Sequence, residues 1–253
     1  MEEQQAHHEQ VKLMSFTEKL TNIFASPGEL FENVRLTGPT TGNWLMPLII
    51  FLVVALVMGQ IMIHNASLAD QLGATIRKGF EKSVQEGKMT QEQADQTYEN
   101  YAKPGSTMFM ISQIGGTIIV TPIVLFLVGL VYWLLGKFAM GATAPYMKVV
   151  EVVGLTFLIG TLEYIVTTCM MIGLDSIHGT PSLGAFVSGF DPQNKMHLAL
   201  SKINIFTFWS LGVTSVGLSK LFQRDLAKVV VLVVALWIVW SVGTIALGMN
   251  FGG

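Results

Sequence analysis

The sequence predicts an all-α protein, a polytopic transmembrane bundle of about five spans preceded by amphipathic N-terminal helices. Hydrophobic residues make up 51% of the 253 residues and charged residues 13%, and the mean hydropathy is +0.54. Such a chain has too little polar surface for a water-soluble fold. The longest apolar stretches are also continuous and do not alternate with polar residues, which excludes a membrane β-barrel.

Five segments reach or approach the length needed to cross a membrane, since a helix requires about 20 apolar residues to span a hydrocarbon core of about 30 Å. They are residues 44–63, 111–135, 149–172, 203–218 and 229–247. The first, second and fifth contain no charged residue. The third carries two glutamates, and the fourth is short and rich in polar side chains, as in a helix that faces protein more than lipid.

The basic residues predict the orientation of the chain. Lys220, Arg224 and Lys228 crowd the loop before the fifth span, and no basic residue follows them. Because lysine and arginine concentrate in cytoplasmic loops, we expect the N-terminus in the cytoplasm and the C-terminus outside. Residues 1–43 then form a cytoplasmic amphipathic segment, and residues 44–253 form the transmembrane domain. The first residues, MEEQQAHHEQ, are polar and acidic, unlike a secretory signal.

Two short helices are expected before the first span. The first has an apolar stripe at helical spacing, formed by Leu13, Phe16, Leu20, Ile23 and Phe24. With Lys19 on its polar side, it suggests a helix lying on the membrane surface. The second is expected to begin at Ser26, with Pro27 in its first turn and Glu29 completing a capping box. Its buried face would consist of Leu30, Phe31 and Val34.

The loop at about residues 64–110 predicts a helical hairpin inserted outside the membrane. Residues 69–85 form one helix, and Thr90 begins another with a capping box that ends on Gln93 and a helix that runs toward Tyr101. Gly87 separates the two helices. A second outer loop, residues 173–202, is rich in turn-forming residues and includes a short helix before the fourth span.

Several stretches along the chain resemble one known family. Residues 24–34, FASPGELFENV, are followed by residues 44–47, WLMP. Residues 135–137, LGK, precede residues 147–154, and the stretch FTFWSL at 206–211 precedes GLSK at 217–220 and the apolar residues 227–240. In this order the segments resemble bacterial members of the Yip family of integral membrane proteins, over about residues 24–60 and 110–245.

The resemblance implies five transmembrane helices with a cytoplasmic N-terminus, and a bacterial cytoplasmic membrane as the location. Eukaryotic relatives are trafficking factors that associate with Rab-type GTPases, whereas bacterial members have no established activity. This sequence lacks the acidic-Leu-Tyr-Gly-Pro motif that marks eukaryotic members ahead of the first span, and Leu155 follows Gly154 where many relatives have a Gly-Tyr pair. The GTPase role is therefore not carried over.

Glu151 and Glu163 are the first candidates for functional residues. A carboxylate within a span costs about 3 kcal/mol and usually faces a bundle interior or a hydrated cavity. The two are 12 residues apart (163 − 151), which places them on different helix faces and about 18 Å apart along the axis. They therefore do not form a paired acid–base site.

Two interpretations of these glutamates remain open. In the functional one, Glu163 with Tyr164 lies on a proton or substrate path, together with Asn204 and Thr207 of the polar fourth span. In the structural one, Glu151 sits at the cytoplasmic interface near Lys148, and Glu163 bonds a neighbouring hydroxyl.

Other functional classes find no support in the sequence. The formal net charge of -2, without long blocks of either sign, gives no electrostatic case for nucleic-acid binding. The histidines show no ligand spacing, and Cys169 is the single cysteine, so we expect no metal site and no cofactor. Nucleotide-binding loops, kinase signatures and nucleophile–base patterns are absent, so we do not expect an enzyme.

The leading hypothesis is a non-enzymatic membrane scaffold, organising factor or regulator. Its partners would be membrane lipids, with protein partners or self-association possible. The contacts would be made by the N-terminal helices and the basic loop, through Phe24, Pro27, Phe31, Lys220, Arg224 and Lys228. The alternative is a small transporter or channel that uses Glu163 and the polar fourth helix.

Overall fold

The computed structural model describes residues 13–247, which form ten α-helices. They are α1 (Phe16–Ala25), α2 (Pro27–Leu36), α3 (Gly42–His64), α4 (Ala66–Gln85), α5 (Gln91–Thr97), α6 (Thr107–Met140), α7 (Tyr146–Gly173), α8 (Lys195–Ser201), α9 (Ile205–Phe222) and α10 (Leu226–Ala246). A π-helical turn, Tyr98–Ala102, extends α5, and a 3₁₀ turn covers Leu183–Phe186. Within the described range the β-structure is a single bridge between Ser182 and Asn204.

Five of these helices, α3, α6, α7, α9 and α10, are long and apolar enough to cross a membrane, which confirms the predicted fold class. The second of them, α6, is longer than the apolar stretch at residues 111–135 predicted. Ser106 accepts a hydrogen bond from the amide of Phe109 at its start, and Gly141 ends it with φ of 61°. Its 34 residues make a rod of about 50 Å, so α6 extends beyond the hydrocarbon core.

Helix α7 is the centre of the bundle. In the most apolar 18-residue segment of α7, 61% is buried inside the bundle, whereas the corresponding share is 17% to 39% in the other four spans. Helix α3 packs most extensively against it, and a Cβ placed on Gly154 would lie 2.6 Å from the backbone Cα of Trp44. Helix α9 packs on another face, where a Cβ on Gly217 would lie 2.5 Å from Val152 Cγ1. Glycine at these positions lets the helix axes come together.

The two N-terminal helices form a hairpin that packs on α7 and α9. The backbone amide of Met14 donates to Asn33 Oδ1 at 3.3 Å and joins the open end of the hairpin. Near the turn between the helices, the ring of Phe24 lies 5.7 Å from that of Trp209 on α9, edge to face. The hairpin is therefore part of the bundle.

Helix α2 begins directly after Ser26, as predicted, but without the expected capping box. Ser26 makes no side-chain capping bond at α2, so the capping box expected there with Glu29 is wrong, although Pro27 does occupy the first turn. The capping box lies at α1, where Ser15 accepts from the Glu18 amide and the Glu18 carboxylate accepts from the Ser15 amide. A single residue links the two helices, which leaves Ser26 with an irregular backbone, φ -145° and ψ 62°.

The buried face of α2 is confirmed, since Leu30, Phe31 and Val34 are 0 to 1% exposed. The expected stripe of α1 is only partly right. Ile23 is buried, but Leu20 is exposed and Lys19, placed on the polar side, is buried. The Asn43 side chain on α3 accepts a hydrogen bond from this buried lysine.

Helices α4 and α5 form the expected hairpin between the first two spans. The predicted capping box of Thr90 and Gln93 is present, and Gly87 takes a left-handed φ of 70° between the helices. The Gln71 side chain ties this hairpin to the second loop. Its amide nitrogen donates to the Asp175 carbonyl at 2.9 Å, and its oxygen accepts from the Ile177 amide at 3.2 Å.

Candidate functional site

A buried polar cluster surrounds Glu151 where the N-terminal segment meets the bundle. The carboxylate is 1% exposed, and both of its oxygens are hydrogen-bonded. Oε1 accepts from the Thr40 backbone amide at 2.8 Å, and Oε2 accepts from Asn43 Nδ2 at 2.6 Å. A third donor, Lys148 Nζ, lies 3.2 Å from Oε2. The carboxylate thus joins α7 to the linker and first turn of α3.

Lys148 ties the same place to α2. Its ammonium group donates to the carbonyls of Val34 at 2.7 Å and Gly38 at 2.9 Å, in addition to Glu151. These carbonyls belong to the end of α2 and the linker that follows, where no helical partner is available. A lysine reaches them as a flexible point donor with three N–H groups. Lys148 and Glu151 together therefore fix the path of the backbone where it leaves α2.

Lys19 adds α1 to this cluster. Its Nζ donates to Asn43 Oδ1 at 2.8 Å, so the Asn43 amide bridges Lys19 and Glu151. Burial lowers the pKa of Lys19, an effect that nearby Glu151 opposes and Lys148 reinforces. The cluster brings two ammonium groups to one carboxylate at the junction of α1, α2, α3 and α7. The hydrogen bonds recorded for these groups connect parts of the protein to one another, so the cluster has the structural role of holding the helices together.

The sequence identified Glu151 and its partner Lys148 but missed Lys19 and Asn43. One signal was available for the lysine, because Phe16, Lys19 and Ile23 follow the i, i+3, i+7 spacing of a single helix face. No local signal distinguishes Asn43, since its partners come from α1 and α7. Only the packing of three helices identifies it.

Glu163 lies in the C-terminal half of α7. Its Oε1 accepts from Asn204 Nδ2 at 2.7 Å. The partner is an amide, so the neighbouring hydroxyl expected from the sequence is wrong. Asn204 is 1% exposed and also caps α9 by accepting from the Phe206 amide at 2.9 Å. The amide nitrogen of Asn204 thus binds α7, and its amide oxygen caps the start of α9.

The other two candidates, Tyr164 on α7 and Thr207 on α9, are not joined to this pair by a hydrogen bond that the structure records. The Tyr164 ring lies 6.2 Å from that of Phe51 on α3, and Thr207 is half-buried in the first turn of α9. The structure therefore joins Glu163 to Asn204 by a hydrogen bond but does not add Tyr164 or Thr207 to this pair.

The basic loop between α9 and α10 is exposed, as are Lys220, Arg224 and Lys228. Arg224 also has a structural role, because its Nε donates to the Met140 carbonyl at 2.8 Å and its Nη2 to Gly141 at 3.2 Å. It thereby satisfies carbonyls at the end of α6.

An acidic residue of α2 lies beside this basic loop. Glu32 Oε2 is 4.0 Å from Lys220 Nζ, and a hydrogen bond from the Arg35 guanidinium lowers the pKa of Glu32. The basic loop and α2 therefore form one continuous charged surface.

Among the predicted contact residues of the N-terminal helices, Phe24 is 36% exposed and Pro27 is half-buried. Phe31 is 1% exposed and packs against Gly217. It is a core residue, so its assignment to a contact surface is corrected. Nor does the part of the chain from 13 to 247 bring together three His, Cys, Asp or Glu side chains that could hold a metal ion.

Comparison with known proteins adds one positive result. The family model described as the Yip1 domain matches residues 21–247, which includes every span and most of the N-terminal hairpin. No curated protein and no solved structure matches the chain. The match covers far more than half of the 253 residues and agrees with the five apolar helices. The chain therefore belongs to the Yip1 family and is a multi-pass membrane protein.

Proposed function

We propose that this protein is a non-enzymatic scaffold, organising factor or regulator of a bacterial cytoplasmic membrane, with its N-terminus in the cytoplasm. The observation that carries the proposal is the way the α1–α2 hairpin is fastened to the bundle by Lys19, Asn43, Lys148 and Glu151. A rigid hairpin beside a basic loop offers a preorganised surface for lipids and protein partners.

The composition of this surface supports the proposal. On α1 and the residues before it, Leu13 is 68% exposed and Leu20 is 37% exposed, which is typical of a contact with lipid or protein. Helices α2 and α9 also border an open cavity of about 490 Å³. Most of the residues that line it have polar or charged side chains, and the full set is Glu32, Arg35, Val216, Ser219, Lys220, Gln223, Arg224 and Leu226.

The orientation is tested by labelling single cysteines in intact cells. In a Cys169→Ser background, a membrane-impermeant maleimide should react with Gln91→Cys in the outer hairpin. Lys228→Cys should react only after the cells are lysed. Both positions are exposed, so accessibility differs by compartment alone. Labelling of Lys228→Cys in intact cells would reverse the proposed orientation.

The contact surface is tested by photo-crosslinking in the native membrane. A photoreactive residue at Leu20 should give a discrete protein adduct, and the combined change Lys220→Glu with Lys228→Glu should abolish it. The same residue at Val239, which is 70% exposed on the span α10, is the matched control and should crosslink to lipid. No protein adduct at Leu20, or one indifferent to the charge reversal, would count against the proposal.

A small transporter or channel is the second candidate. It is favoured by one observation, that Asn204 both binds Glu163 and lines a largely apolar cavity of about 510 Å³ together with Thr180, Ser182 and Phe208. Reconstituted vesicles carrying a pH gradient should then show a proton or ion flux that Glu163→Gln reduces. Absence of proton, ion or lipid flux over a broad panel removes this candidate.

A further inference from the structure

A cleft opens between α6 and α9 within the membrane-spanning part of the bundle. The two helices meet at one end, where the Phe222 ring covers Gly136 so closely that a Cβ there would lie 2.4 Å from its Cζ. The bonds from Arg224 to the end of α6 close the same end. Farther along, the two helices separate and leave a cavity of about 400 Å³.

Four spans form the walls of this cleft. Helix α7 is the floor, α6 and α9 are the sides, and α3 contributes one ring. The lining residues are Phe51, Val120, Thr121, Val124, Val128, Tyr132, Val153, Thr156, Phe157, Gly160, Ser210, Leu211 and Thr214. None of them carries a charge, and most are apolar. The volume lies within the range of small-molecule sites in proteins.

Two hydroxyls of the cleft are used by the protein itself. Thr156 Oγ1 donates to the Val152 carbonyl at 2.9 Å, and Thr214 Oγ1 donates to Thr156 Oγ1 at 3.4 Å. These two hydroxyl oxygens are therefore already hydrogen-bonded within the bundle. Most of the surface that the cleft exposes is apolar, so the cleft favours hydrocarbon over a hydrogen-bonding ligand.

The cleft is continuous with the lipid-facing surface. Val120 and Val124 line it and are also 54% and 42% exposed. On the floor, a Cβ added to Gly160 would meet no atom within 4 Å. A hydrocarbon chain that entered from the lipid-facing surface would thus pass Val120 and Val124 and lie over Gly160.

We propose that this cleft binds one acyl chain of a bilayer phospholipid. At this depth the surrounding medium is hydrocarbon rather than water, and an apolar cavity open to that medium is filled by it. The chain would lie against α7, where Val153 is 5% exposed and is shielded from the general lipid by the neighbouring helices. This site is independent of the contact surface proposed above.

The test uses the full chain in phosphatidylcholine vesicles that contain a phosphatidylcholine with a diazirine midway along one acyl chain. After photolysis, peptide mapping should find adducts on α7 at Val153 or Phe157, as well as on the exposed α10 residue Val239. Gly160→Leu fills the floor of the cleft without a backbone clash. It should reduce the α7 adducts to background and leave those at Val239 unchanged.

Gly212→Leu is the matched control, because Gly212 has equally open space on a span but does not line the cleft. It should keep the α7 adducts. If Gly160→Leu does not yield monodisperse protein, Ser210→Leu fills the cleft from α9 and should give the same loss. Wild-type protein without α7 adducts, or filled variants that retain them, would overturn the proposal. Preferential labelling by a diazirine fatty acid, or a crosslink between two copies there, would also overturn it.

Discussion

Glu151 on α7 and Asn43 on α3 are joined by a hydrogen bond of 2.6 Å between the carboxylate Oε2 and Nδ2. Both side chains are at most 2% exposed, and each has a lysine as a second side-chain partner. Since a buried carboxylate is stable only when paired and hydrogen-bonded, this contact fixes how the N-terminal segment enters the bundle.

Removal of the carboxylate should be strongly destabilising. Glu151→Ala leaves the ammonium groups of Lys19 and Lys148 buried without their counter-charge, and the expected loss of unfolding free energy is about 3–5 kcal/mol. Thermal unfolding of the detergent-solubilised protein, followed by intrinsic fluorescence, measures it. Glu99→Ala is the control, because that carboxylate pairs with Arg77 and Lys103 on the surface and its removal should leave the unfolding temperature nearly unchanged.

The double variant Glu151→Leu with Lys148→Met extends this experiment. Replacement of both members of a buried pair by apolar residues is often neutral or stabilising, so the double variant should recover part of the loss. An equally small effect for Glu151→Ala and Glu99→Ala would contradict the assigned role.

The close approach of α3 and α7 should be sensitive to a single methyl group. Gly154→Ala places a Cβ 2.6 Å from the Trp44 backbone, which cannot move as a side-chain tip would, and the expected cost is about 1–3 kcal/mol. Gly212→Ala has open space on α9 and should stabilise through helix propensity, by about 0.5–1 kcal/mol. The thermal unfolding midpoint of each variant measures the difference, and a stabilised Gly154→Ala would show that the helices are not in contact there.

The contribution of Lys19 should depend on pH in a defined direction. Burial lowers its pKa in the folded protein below the ordinary value of 10.5, with Glu151 opposing the shift and Lys148 adding to it. Below 10.5 the unfolded chain therefore binds this proton more tightly, which weakens folding as the pH falls. Relative to Lys19→Met, the wild-type unfolding free energy should rise as the pH increases through the folded pKa, and level off above 10.5. Denaturant unfolding across this range measures it, and a difference that stays flat or falls would contradict it.

Asn204 should contribute to stability in two separable ways, through its bond to Glu163 in the C-terminal half of α7 and through its cap on α9. Asn204→Ser keeps an N-cap oxygen for α9 but is too short to reach Glu163, whereas Asn204→Ala loses both interactions. The difference in unfolding free energy between the two variants should be about 1 kcal/mol, the usual value of an N-cap. Hydrogen exchange at Phe206 should increase in the alanine variant alone. Equal exchange in both would mean that the cap does not depend on this side chain.

Much of the fold follows from local sequence. The five spans were predicted because continuous apolar runs have few alternatives in hydrocarbon, where every backbone group must be bonded within its own helix. The capping box at Thr90 and the break at Gly87 were predictable for a similar reason, since their interactions extend over a few residues. The ends of α6 were not predicted, because apolar content marks the part inside lipid and does not show how far the helix continues into water.

The candidate site divides in the same way. The sequence by itself marked Glu151 and Glu163 as unusual, because a carboxylate in an apolar helix requires compensation. Tertiary structure alone supplied Asn43 and the Thr40 amide, which are 108 and 111 residues away from Glu151 along the chain. It also buried Lys19 and exposed Leu20, against the simple amphipathic pattern of α1. Partners so distant are chosen by the packing of α1, α2 and α3 on α7, and hydrophobic periodicity describes a helix without its neighbours.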